Sequence, residues 1–131
     1  MTDLYILLGI IVLLILFGLY RFFKQKRILT SLPEEEFRQG YRKAQLIDVR
    51  EPNEYDGGHI LGARNIPLTQ LKQRLTELRK DQPIYLYCQS GSRAGRAALM
   101  LNKNGYTDLY QLQGGFKKWA GKIKKTKKLD Y

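Results

Sequence analysis

The sequence of 131 residues has one cysteine and one histidine. A single cysteine excludes an intrachain disulfide framework and a multi-thiolate zinc site. A single histidine excludes a histidine-cluster metal centre. Internal repeats are absent, and the length leaves no room for a two-domain dehydrogenase-like architecture. Charge is missing altogether from residues 4–20, a run dominated by Leu and Ile. The whole chain is 44% hydrophobic and 27% charged, a globular balance that excludes wholesale disorder.

The net charge of +11 first suggests a nucleic-acid binder, so its location matters. Residues 30–116 hold 12 basic and 10 acidic side chains, a nearly neutral body. The excess sits in Arg21, Lys24, Lys26 and Arg27 and in seven lysines from Lys117 onward. A domain that reads nucleic acid carries its basic face on the folded body. Basic residues beside an apolar run and in a tail fit anionic lipid headgroups instead. The expectation is no nucleic-acid partner.

With Phe22 and Phe23 the apolar run reaches about 20 residues, or about 30 Å as a helix, enough to cross a bilayer core. Tyr5 and Tyr20 stand near its ends, where interfacial aromatics are favoured. A cleaved signal peptide needs a basic leading segment and a small-residue cleavage site. Here Asp3 leads and Arg21-Phe22-Phe23-Lys24 follows. Residues 4–23 are therefore read as a retained transmembrane helix, preceded by a short end at 1–3. Four basic residues after the span put the C-terminal side in the cytoplasm and the N-terminus outside. The expected location is a cell membrane, with a single pass.

Beyond a basic juxtamembrane linker at 24–30, the chain alternates strand and helix. Ser31 is expected to cap a helix with Pro33 in its first turn and Glu34 closing a capping box. Residues 45–49 read as a strand, 51–58 as turn-rich, and 63–66 as extended. Leu68, Leu71, Leu75 and Leu78 recur at helical spacing. Residues 84–87 form an apolar run of strand length, 93–103 a helix ended by Gly105, and 106–112 the last strand. Gly114-Gly115 opens a short helix carrying Phe116 and Trp119. This order predicts an α/β domain over 31–121, a small parallel sheet with helices on both faces. Residues 122–131 read as a Lys-rich tail, a candidate for contact with acidic headgroups.

The chemistry points to Cys88. It ends a strand, and Gln89, Ser90, Gly91, Ser92 and Arg93 lead into the next helix. In parallel α/β folds ligands bind outside the carboxyl ends of strands. A Gly-bearing loop, a helix N-terminus and Arg93 would each favour thiolate, the nucleophilic form. The bland alternative is a buried structural thiol.

At this point the residues resemble a family. The run from Ile84 through Arg93 looks like the active-site loop of rhodanese (thiosulfate sulfurtransferase) domains. Leu46-Ile47-Asp48-Val49-Arg50-Glu51, Glu54 through Pro67, and Leu112 through Trp119 resemble three further family segments, in the same order. The resemblance implies that Cys88 takes the outer sulfur of an anionic donor, thiosulfate-like or persulfide, as a persulfide. It then passes that sulfur to a thiol or cyanide acceptor. It implies no metal and no organic cofactor. Related phosphatases carry Cys-x5-Arg, whereas Cys88 to Arg93 is Cys-x4-Arg, similar to the sulfurtransferase branch. A module that binds one unidentified protein partner at the membrane is the competing class.

Other residues have plainer readings. Asp48 and Arg50 share a strand face and are expected to pair structurally. His59 is expected to make a structural hydrogen bond. Arg96, one turn into the helix, is a candidate to steer an anionic donor.

Overall fold

The computed structural model describes residues 1–90 and 92–125, and at 25–27 the backbone alone. Helix α1 (Thr2–Ile28) comes first, its side chains exposed through Lys24. It is long and apolar enough to cross a membrane. Five parallel strands follow, in spatial order β1 (Leu29–Leu32), β6 (Leu109–Leu112), β5 (Ile84–Tyr87), β2 (Gln45–Asp48) and β4 (Arg64–Asn65). The first four start level, with Leu29 opposite Leu109, Leu109 opposite Ile84, and Ile84 opposite Gln45, while β4 begins opposite Ile47. The sheet therefore has one edge of strand beginnings and one of strand ends.

Alternation along the strands builds two cores. Ile84, Leu86 and Cys88 face one side with Ile47 and Val49. There α4 (Ser92–Lys103) and the 3₁₀ helix Leu68–Glu77 cover the sheet. The α4 face is small, with Ala94, Gly95, Ala97 and Ala98 buried, so the helix backbone lies close to the strands. Leu71, Leu78 and Leu101 fill what remains. On the other side Tyr87, Leu46 and Leu112 meet Phe37 and Tyr41. Phe37 belongs to α2 (Glu34–Gly40), and Tyr41 starts the 3₁₀ turn Tyr41–Lys43. A parallel α/β sheet with helices on both faces is what the sequence predicts.

Three local expectations are corrected. Ser31 caps no helix: it lies in β1, where Gln111 Nε2 donates to its Oγ at 2.6 Å. Pro33 precedes α2 without a side-chain cap, and Glu34 binds Arg38 and the Ala120 N–H instead. Residues 24–30 form no linker, because α1 continues to Ile28 and β1 begins at Leu29. Ile28 packs against the core, so the helix end is joined to the body. Residues 122–125 belong to the body as well. Ile123–Lys124 (β7) pairs antiparallel with His59–Ile60 (β3). Residues 126–131 of the expected tail lie outside the described residues.

Candidate active site

Cys88 follows the last residue of β5, at the edge of strand ends, and is 1% exposed. Its Sγ accepts the Ala94 N–H at 3.4 Å from the first turn of α4. That places sulfur at a helix N-terminus, where the backbone N–H groups present partial positive charge. The loop carbonyls are directed elsewhere. Phe116 N–H donates to the Cys88 carbonyl at 2.8 Å, and Lys117 N–H to that of Gln89 at 3.2 Å. These donors stand just after Gly115, which has φ +71. A Cβ there would fall 2.5 Å from the Gln89 carbonyl oxygen and 2.7 Å from that of Cys88. Glycine is required at this wall for both space and conformation. Ser90 and Ser92 are exposed, and Gly91 lies outside the described residues.

A buried charge network braces the other side. Asp48 ends β2, and Arg50 stands two residues on, 0% and 3% exposed. Arg50 Nε lies 3.0 Å from both Asp48 carboxylate oxygens, and Nη2 donates to Oδ2 at 2.7 Å. The same guanidinium donates to the Gly58 carbonyl at 2.6 Å and to Gln89 Oε1 at 3.1 Å. Its Cζ lies 4.3 Å from the Phe116 ring centroid. Burial alone would disfavour the charged form. The Asp48 hydrogen bonds and charge outweigh it and hold the Arg50 pKa above its ordinary value. One side chain thus joins β2, the segment before β3, the Cys88 loop and the turn at Phe116.

The arginine of the loop is engaged. Arg93 Nη1 and Nη2 donate to Glu54 Oε1 and Oε2 at 2.6 and 3.0 Å. Glu54 lies in α3 (Pro52–Asp56), and its Oε1 also accepts the Glu51 N–H at 3.2 Å. The hydrogen bond from Arg93 holds the Glu54 carboxyl below its ordinary range, and its counterpart raises Arg93. Sequence reading expected Arg93 as a cation open to thiolate and donor. The structure gives it a bidentate carboxylate partner.

Comparison with known proteins agrees with this architecture. The family description "Rhodanese-like domain" matches residues 34–122. The chain belongs to the rhodanese-like family. Uncharacterized protein YqhL of Bacillus subtilis is 63% identical over 122 residues, covering 93% of this chain and 97% of that one. Thiosulfate sulfurtransferase GlpE of Shewanella oneidensis is 33% identical over 78 residues, covering 60% of this chain and 77% of that one. A solved rhodanese with anions from E. coli superposes with a TM-score of 0.56 at 37% identity. It covers 63% of this chain and 98% of that chain.

Within this rhodanese-like domain the remaining candidates fall apart spatially. His59 is buried in β3, its Nδ1–H 2.9 Å from the Tyr55 carbonyl oxygen and its ring stacked on Tyr55 at 3.7 Å. Its hydrogen bond is local, within the segment that leads from α3 into β3. Arg96 is exposed on α4, one turn beyond Arg93. Among the described residues no cluster of His, Cys, Asp and Glu could hold a metal ion. Sequence reading missed Glu54 and the donors from Phe116 and Lys117. All three act on the loop across long chain separations, which no local spacing reveals. The family-like segments that contain them were the available signal.

Proposed function

We propose that this chain is a membrane-anchored sulfurtransferase that carries sulfane sulfur on Cys88. The carrying observation is the Ala94 N–H aimed at Sγ while the Cys88 and Gln89 carbonyls are bound behind it. This leaves the loop's electropositive side to the sulfur. The Cys88 thiolate attacks the outer sulfur of the donor and forms an S–S bond. The donor's bond to that sulfur breaks, and the donor leaves with the electron pair, as sulfite from thiosulfate. An acceptor thiolate or cyanide then attacks the outer persulfide sulfur, and Cys88 departs as thiolate. Cys88 is the only cysteine, so an outside acceptor completes the cycle. The same α4 N-terminus stabilises a persulfide anion between the two steps. Gln89, Ser90, Gly91, Ser92 and Arg93 form the binding loop, with Arg96 beside it.

In this reading residues 4–23 anchor the chain, and the basic residues after the span favour a cytoplasmic domain. Anionic headgroups attract the lysines of the tail. Intact mass spectrometry of the full chain in detergent tests the chemistry. Thiosulfate should add the mass of one sulfur atom, and cyanide should remove it. Cys88→Ser should gain none. If the unmodified thiol persists with thiosulfate and with small persulfide donors, the transfer reading fails and a partner-binding module replaces it.

A further inference from the structure

The edge of strand beginnings carries a surface that the sulfur chemistry does not use. Arg42 and Lys43 lie just before β2 and are exposed, as is Lys122 before β7. Leu61, an exposed hydrophobic, donates its N–H to the Lys122 carbonyl at 3.1 Å. Two adjoining grooves of about 550 and 310 Å³ share Tyr41 and Arg42. Lys122 lines the first and Leu61 the second. Among the described residues no acidic side chain lines either groove, and no ion pair engages Arg42, Lys43 or Lys122.

The geometry of attachment selects the occupant. The apolar span runs to Lys24, and β1 begins at Leu29 without a loop. Five residues of helix rise about 7–8 Å. The headgroup region is about 5–8 Å deep on each side of the hydrocarbon core. Leu29 is level with Gln45 through the strand register, and Arg42 and Lys43 come before Gln45. We infer that this edge rests on anionic lipid headgroups of the bilayer that holds α1. Arg42, Lys43 and Lys122 meet the phosphates, and Leu61 enters the interface. Cys88 then faces away from the membrane, about one strand length (~13 Å) further out. The inference rests on the anchor proposed above.

Fluorophore labelling at position 61 or 90 tests it, using the full chain with Leu61→Cys or Ser90→Cys, each in a Cys88→Ser background. The chains are placed in vesicles of phosphatidylcholine alone or of equal phosphatidylcholine and phosphatidylglycerol. Headgroup-labelled nitroxide lipid serves as quencher. Label 61 should be quenched several-fold more strongly than label 90, and more in the anionic vesicles. Arg42→Glu with Lys43→Glu and Lys122→Glu should remove the anionic excess, as should high salt. Equal quenching at the two positions overturns the inference, and so does quenching at 61 that ignores lipid charge and charge reversal. Alkaline carbonate extraction separates the anchor from the surface. A chain that washes out refutes the anchor and this inference together. A chain that stays inserted without contact at 61 refutes the surface alone.

Discussion

Two arginine–carboxylate pairs flank the Cys88 loop, and they differ in burial and reach. Arg50 and Asp48 are buried, and Arg50 also binds Gly58 and Gln89. Arg93 and Glu54 keep 29% and 31% of their side chains exposed, and the structure shows them clasping each other across the loop. A buried pair tolerates the loss of neither partner, because the survivor is an uncompensated charge. A half-exposed pair leaves its survivor to water. The first pair is therefore framework, and the second is adjustable.

Removing Arg50 tests this contrast at its strongest. Arg50→Ala should destabilise the fold by about 3–5 kcal/mol, because Asp48 stays buried without its partner. Urea unfolding of the chain in detergent reads this. A loss below about 1 kcal/mol would erase the distinction between the pairs. Next comes the wall between them. Gly115→Ala should cost about 1–3 kcal/mol through positive-φ strain and should slow persulfide formation as the loop shifts. Single-turnover mass spectrometry with thiosulfate, beside an unfolding curve, separates the two effects.

The smallest expected stability change belongs to Glu54→Gln, within about 1 kcal/mol of the parent. Its effect should appear in donor recognition, because Arg93 is released toward anions. KM for thiosulfate should fall more than kcat changes. The acid limb should change too. Glu54 has a lowered folded-state pKa, so its stabilisation is full above the ordinary carboxylate range. It is lost as pH falls through the lowered value. Stability measured from neutral to acid pH should decline less in Glu54→Gln than in the parent.

The parallel sheet and the strand-end position of Cys88 were legible because they are local signals. The apolar run Ile84–Tyr87 and the Ser- and Gly-bearing turn before a helix lie within ten residues. Ser31 misled because Ser-x-x-Glu satisfies a local capping rule. Pairing with β6 (Leu29 to Leu32 against Leu109 to Leu112) decides the matter across the chain. β7 was hidden for the same reason: two residues in a lysine-rich stretch become a strand only against His59–Ile60. The engagement of Arg93 by Glu54 is likewise a product of the fold. Sequence could propose the cation at the loop and not its neutralisation.

The bonds from Phe116 and Lys117 carry a consequence for timing. They hold the carbonyls of residues made nearly thirty positions earlier. A nascent chain that stops short of Phe116 has neither donor, and its Cys88 loop is open at the back. The loop around Cys88 is closed only by a segment made after α1 and after every strand of the parallel sheet.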